Sequence, residues 1–194
     1  MKYDKIDIFT NARELFYSKG FKDTSVSDIT KKTGIAVGSF YNFYKSKEDV
    51  FFDVFIAESD KLKKQIVSEV DLDRDPVVVV KEITLKIFEG TRKSPILREW
   101  FSRDAYSKLE KYLQDENGTE EFEEDYSYNL FTGIIKKWQV EGVFRSDIDS
   151  GMIMAILNTF QYIDMHKYDI GNQYFPQLLE YVIEFVVKGL CTEK

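Results

Sequence analysis

Across 194 residues the chain carries 27 Lys+Arg against 34 Asp+Glu, with 43% hydrophobic and 15% aromatic residues. That apolar content excludes a disordered chain, and the length suits one larger domain or a small domain joined to a larger one. The single cysteine, Cys191, excludes an internal disulfide; with the single histidine, His166, it also excludes a zinc site built on several His or Cys ligands. No apolar leader opens the sequence, and the longest aliphatic run, Val77 to Val80, is far short of a bilayer span. A reducing, cytoplasmic location is therefore expected. The net charge of −7 is unevenly spread: residues 1–64 hold 12 Lys+Arg and 10 Asp+Glu, residues 65–194 hold 15 and 24. Whole-chain acidity thus argues little about the first part, whose local balance is weakly basic.

Only 3 Pro and 10 Gly occur, and long stretches have helical period, so the expected class is all-α. A first helix is expected over about Lys5 to Lys19, ending at Gly20, with Ile8, Phe9, Ala12, Leu15 and Phe16 on its apolar face. Ser25 and Asp28 form a capping-box pattern that opens a second helix near Val26, and Gly34 suits the left-handed position that closes it. A third helix can run from Val37 to about Phe43. A second capping-box pattern, Ser46 to Asp49, opens a fourth, from Lys47 to about Val67 or Glu69. A helix, a short turn containing Gly and a second helix make the helix-turn-helix layout, whose second helix has the width of the DNA major groove. Val26, Ile29, Ile35, Val37 and Phe40 should pack on the first helix, leaving Ser39, Tyr41, Asn42 and Tyr44 to face outward.

Gly20-Phe21, Thr24-Ser25-Val26, Asp28-Ile29, Gly34-Ile35, Gly38-Ser39-Phe40-Tyr41 and Tyr44-Lys45-Ser46-Lys47-Glu48 together resemble the DNA-binding region of the tetracycline-repressor (TetR) family. The resemblance covers about the first quarter of the chain. Ala36 departs from it, standing where the family has a Ser or Thr cap on the recognition helix. The resemblance implies an N-terminal three-helix DNA-binding domain, a C-terminal helical domain for ligand binding and dimerisation, and about nine helices in all. It places DNA contacts at Thr24, Ser25, Val37, Gly38, Ser39, Tyr41, Asn42, Tyr44 and Lys47. Thr24, Ser25, Tyr41, Tyr44 and Lys47 would hold the phosphate backbone; Lys47 lies in the first turn of its helix, where exposed N–H groups favour phosphate. Val37, Gly38, Ser39 and Asn42 would meet the groove, and Asn42 can pair bidentately with adenine.

Domains are expected over residues 1–46, with a connecting helix over 47–70 and a second domain over 71–194. Asp71-Leu72-Asp73-Arg74-Asp75 is a polar linker; Asp75 caps a helix that starts at Pro76 and reaches about Arg92. Short helices are expected around Ile96–Phe101 and Ala105–Gln114. Thr119 can cap a long helix to about Glu141, whose acidic start and basic end suit the helix dipole. A turn over Gly142 to Asp149 leads to a helix over Ser150 to Met165, and a last helix should run from about Tyr174 to Leu190.

No catalytic arrangement, P-loop, G-x-G-x-x-G or metal-ligand pattern occurs in the sequence, and no cofactor or enzymatic role is expected. Aromatics at helix-interior positions, Phe88, Trp100, Tyr106, Phe131, Trp138 and Tyr162, are candidates to line a pocket, with Arg92, Arg98, Asn158 and His166 as its polar groups. The final helix is apolar around much of its circumference, so Ile156, Phe160, Leu179, Ile183 and Val186 are expected at a homodimer interface. The expected function is a ligand-responsive transcriptional regulator. As a repressor, it would leave a near-palindromic operator when a small apolar effector binds. The competing reading is an all-helical carrier or enzyme that does not use DNA.

Overall fold

The structure is a computed structural model that describes residues 4–101 and 126–192. Among the described residues all regular structure is helical apart from one isolated bridge, Phe144 with Cys191. The α-helices are α1 (Lys5–Lys19), α2 (Val26–Thr33), α3 (Val37–Phe40), α4 (Lys47–Glu69), α5 (Pro76–Lys93), α6 (Tyr126–Val140), α7 (Ser150–Met165), α8 (Lys167–Ile170) and α9 (Gln177–Leu190). Two short 3-10 turns, Leu97–Phe101 and Asn172–Tyr174, accompany them.

The described residues fall into two compact units. The first comprises 4–61 with 90–101, the second 62–89 with 126–192. The Lys47–Lys61 part of α4 therefore belongs to the first unit and the Leu62–Glu69 part to the second.

In the first unit, Asp4 accepts from Asp7 N at 3.0 Å and Asp7 accepts from Asp4 N at 3.1 Å, a capping box that starts α1. Ile8, Ala12, Leu15 and Phe16 recur on one face of α1 and are buried. They join Phe21, Ile29, Phe40, Val50, Phe51 and Val54 in one core. Aromatic rings dominate it: Phe51 lies 5.2 Å from Phe16 edge-on and 4.5 Å from Phe21. Arg13 and Tyr17 on α1 reach the buried Glu58 carboxylate on α4, at 2.5 and 2.7 Å.

The second unit has its own core, in which Val79, Val80, Ile83 and Phe88 of α5 meet Ile135, Trp138, Ile153, Phe160, Leu179 and Ile183. Asp75 accepts from Val77 N and Val78 N, and Pro76 takes the first helical position, where its missing N–H costs nothing. Burial of Val79 and Val80 in this core overrides the weak helix propensity of the Val77–Val80 run. Asp149 caps α7 by accepting from Gly151 N at 2.8 Å. Gln139 steadies the preceding turn, donating to Arg145 O and Ile148 O.

Three elements differ from expectation. α3 ends at Phe40 rather than Phe43: no side chain caps Ala36, and the chain continues as hydrogen-bonded turns from Ser39 O to Asn42 N and from Phe40 O to Phe43 N and Tyr44 N. The last helix starts at Gln177, not Tyr174, because the residue before a proline is biased away from the helical region and Phe175 is extended. α8, between α7 and α9, was not expected from periodicity; four residues are too few to show a period. The expected helix over Ala105–Gln114, and the Thr119 start of the long helix, lie outside the described residues.

Candidate DNA-reading surface and interior cavity

α2, the turn after it and α3 form the motif. Ser25 Oγ accepts from Asp28 N at 3.1 Å while Asp28 accepts from Ser25 N at 3.0 Å. These bonds from Ser25, with Lys19 nearby, hold the Asp28 carboxyl below its ordinary pKa. Gly34 adopts φ 79°, ψ 28°, a left-handed conformation that costs a residue with a Cβ more than it costs glycine, and its N–H donates to Thr30 O at 2.9 Å. Ser46 and Asp49 repeat the reciprocal capping at the start of α4. Three local devices thus open α2, close it and open α4.

The nine candidate DNA contacts separate into two groups. Ser25, Val37, Gly38, Tyr41 and Asn42 are exposed and Ser39 is half-buried. Thr24 is 1% exposed, its hydroxyl donating to Gly20 O at 2.8 Å. Tyr44 is buried with its ring 5.9 Å from that of Phe40, because four residues along a helical turn return to the same face. It therefore faces inward, against the expectation from sequence. Lys47 is half-buried; its ammonium donates to Phe21 O and Thr24 O, both at 2.8 Å, and lies 4.1 Å from the Phe21 ring centroid. Lys47 ties the α1–α2 connection to the first turn of α4. The sequence offered no sign of this, since the two segments are more than twenty residues apart.

The second unit contains a cavity of about 80 Å³. Its walls come from α4 (Lys63), α5 (Val80, Ile83, Thr84, Ile87, Phe88), α6 (Phe131, Ile134, Ile135, Trp138) and α7 (Met154, Leu157, Asn158, Phe160, Gln161). At roughly 10–15 Å³ for a single water position, the space is several times larger than a water site. Lys63, Thr84, Asn158 and Gln161 supply the polar groups of an otherwise apolar wall.

Of the expected pocket residues, Phe88, Phe131, Trp138 and Asn158 line this cavity. Arg92 is exposed in the last turn of α5 and belongs to the first unit, and Arg98 is exposed in that unit as well. Tyr162 is exposed on α7; His166 is exposed just beyond it, with Nδ1 3.1 Å from Asp169. Neither reaches the cavity wall. The side chain of Trp100, and Tyr106 as a whole, lie outside the described residues.

The expected interface residues also divide. Phe160, Leu179 and Ile183 are buried in the unit's own core, and Phe160 lines the cavity as well, so these three have no surface left to give a partner. Ile156 and Val186 are half-buried. The large exposed apolar side chains on α7 and α9 are Met152, Tyr162, Tyr181 and Phe185; the Tyr181 and Phe185 rings stack at 6.0 Å, and Phe185 is 68% exposed. Among the described residues no helix is long and apolar enough to cross a membrane, and no three His, Cys, Asp or Glu side chains cluster as metal ligands.

A capped helix-turn-helix in one unit, and a cavity within the other, fit a DNA-binding transcriptional regulator, and the relatives are of that class. Residues 8–54 match the family described as bacterial regulatory proteins, tetR family. The HTH-type transcriptional repressor KstR2 of Mycobacterium tuberculosis is 21% identical over 187 residues, covering 94% of this chain and 90% of that protein. The HTH-type transcriptional regulator AcrR of Shigella flexneri is 30% identical over 81 residues, covering 41% of this chain and 38% of that protein. Among solved structures, Thermus thermophilus FadR, a TetR-family repressor in complex with lauroyl-CoA, matches with a TM-score of 0.65 at 21% identity, over 98% of this chain and 97% of that one. Bacillus subtilis FadR in complex with stearoyl-CoA matches with a TM-score of 0.57 at 17% identity, over 96% and 100%. Residues 8–54 are thus a TetR-family DNA-binding region, and over nearly its whole length the chain is similar to TetR-family transcriptional regulators.

Proposed function

We propose that this regulator is a repressor that binds a near-palindromic operator as a homodimer and leaves it when an apolar effector enters the cavity of the second unit. The observation that carries the reading is the make-up of α4. This one helix supplies Lys47 to the helix-turn-helix and Lys63 to the cavity wall. A ligand that binds better to one disposition of α4 than to another shifts the population toward it, and changes DNA affinity only by that difference. Six of the candidate DNA contacts, Ser25, Val37, Gly38, Ser39, Tyr41 and Asn42, are accessible for direct contact. Thr24, Tyr44 and Lys47 act from within, keeping the short helices in register.

The two FadR neighbours are bound to acyl-CoA molecules. An acyl chain matches the aliphatic and aromatic character of these walls, and the effector class we propose is an acyl compound whose chain widens the cavity as it enters and whose polar end meets Lys63, Asn158 or Gln161. For the homodimer, the surface is the exposed set on α7 and α9, Met152, Tyr162, Tyr181 and Phe185, flanked by Ile156, Val182 and Val186. Two helices from each subunit would make a four-helix bundle.

The test is binding of a labelled duplex from the gene's own upstream region, and of a random pool, at two salt concentrations, with and without lauroyl-CoA. A regulator binds at low salt, loses affinity log-linearly as salt rises and releases the duplex when the acyl compound is added. Failure to bind any duplex at low salt would favour a carrier that does not use DNA.

A further inference from the structure

The outward surface around α3 is chemically lopsided. Between Ala36 and Lys45 the exposed residues are Ala36, Val37, Gly38, Tyr41, Asn42, Phe43 and Lys45. Val37 is 47% exposed and Phe43 39%, although Phe40 between them is fully buried. The stretch holds no Arg and no carboxylate, and its single cation, Lys45, lies eight residues beyond Val37, past the end of α3. Guanine is read best by a bidentate Arg or Lys, cytosine by a carboxylate, adenine by Asn or Gln, and thymine by an apolar contact to its C5 methyl. The Val37 end therefore has no Arg, Lys or carboxylate of its own for a G·C pair and one group suited to thymine.

The backbone at that end also permits a close approach. A Cβ built on Gly38 would meet nothing within 4 Å, so the surface beside Val37 is open. Val37 and Tyr41, four apart, share one flank of the turn, and Asn42 lies beyond Gly38. An exposed isopropyl group and an exposed amide that can take adenine thus stand five residues apart on this stretch.

We infer that Val37 is a specificity-determining residue that reads the C5 methyl of a thymine, with Asn42 on a nearby adenine, so that the inner part of each operator half-site is A·T. This rests on the reading of α3 as the DNA-reading element and deepens it.

Thymine and uracil differ only by that methyl, which supplies the experiment. Duplexes bound by the full-length protein are selected from a random pool, and each thymine of the resulting half-site is replaced singly by uracil. The wild-type protein should lose about fourfold in affinity at one thymine, the worth of a buried methyl. Val37→Ala, at an exposed position, should leave the circular dichroism spectrum unchanged and discriminate thymine from uracil less than the wild type, because its shorter side chain covers less of the methyl. A selected half-site with only G·C pairs in its inner part would overturn the inference. So would equal affinity of the wild-type protein for every uracil duplex, or discrimination that is undiminished in Val37→Ala. If the pool yields no bound duplex, the DNA-reading role of α3 falls first and this inference with it; loss of the thymine effect alone leaves DNA binding standing.

Discussion

The two units use apolar side chains in opposite ways. In the first, Phe16, Phe21, Phe51, Phe52 and Phe55 fill the interior ring against ring, with centroids 4.5 to 6.2 Å apart. In the second, helices α5, α6 and α7, with one side chain of α4, leave a cavity between aliphatic and aromatic walls. A close-packed body moves as a unit and a body with a void has packing to spare. The contrast assigns rigidity to the part that presents α3 and adaptability to the part that would take a ligand. Four substitutions and a titration sharpen or break that contrast.

The largest effect is expected in the ring cluster. Phe16→Ala removes a side chain that is only 1% exposed and should cost about 3–5 kcal/mol, a large share of a typical domain's stability. Urea denaturation checks it; a loss below about 1 kcal/mol would mean that the cluster is not tightly packed. The reverse change belongs in the second unit. Leu157 is half-buried on the cavity wall, and Leu157→Phe fills space instead of emptying it. Stability should change by less than about 1.5 kcal/mol and duplex binding should persist, while release by lauroyl-CoA is lost. Retained release would place the effector elsewhere.

Gly38→Ala separates the fold from the reading surface. Nothing in the protein obstructs the new methyl, and replacing a helical glycine should stabilise the fold by about 0.5–1 kcal/mol. Duplex binding should nevertheless weaken if α3 approaches the groove closely at that point. Denaturation and anisotropy on the same preparation decide it, and unchanged DNA affinity would exclude close approach at Gly38.

The smallest effect is a pH dependence in the first unit. Burial, and next the hydrogen bond to the Glu58 carboxylate, raise the pKa of the Tyr17 phenol above its ordinary value. A raised folded-state value means that the contribution is fully present below the ordinary tyrosine range near ~10 and is lost as pH rises through the raised value. Denaturation between pH 9 and 11.5 should show that alkaline loss in the wild type and less of it in Tyr17→Phe.

The same contrast explains what could be read from the residues alone. The helix-turn-helix is set by neighbours in sequence: Ser25 with Asp28, Ser46 with Asp49, and Gly34 in its left-handed turn are each visible within four residues. The inward turn of Tyr44 and the Lys47 bonds to Phe21 and Thr24 were not visible, because they depend on how separate segments pack. The cavity is wholly of that second kind. Phe88, Phe131, Trp138 and Asn158 stood out as aromatic or polar residues inside apolar helices. Val80, Ile83, Ile87, Ile134 and Leu157 did not, since an aliphatic residue at helical spacing has the same pattern whether it fills a core or lines a void. Phe160, Leu179 and Ile183 were expected at an interface for the same reason: periodicity gives an apolar face but not what covers it.

The central claim is that cavity occupancy and DNA binding are coupled. It is tested most directly by titrating lauroyl-CoA into the full-length protein with and without a saturating selected duplex, following the acyl compound's own affinity. Coupling is reciprocal, so a ligand that drives the protein off DNA must itself bind more weakly when the duplex is present, by the factor it imposes on the duplex. A several-fold weakening in the presence of DNA is the predicted result. The same affinity in both titrations would contradict the account.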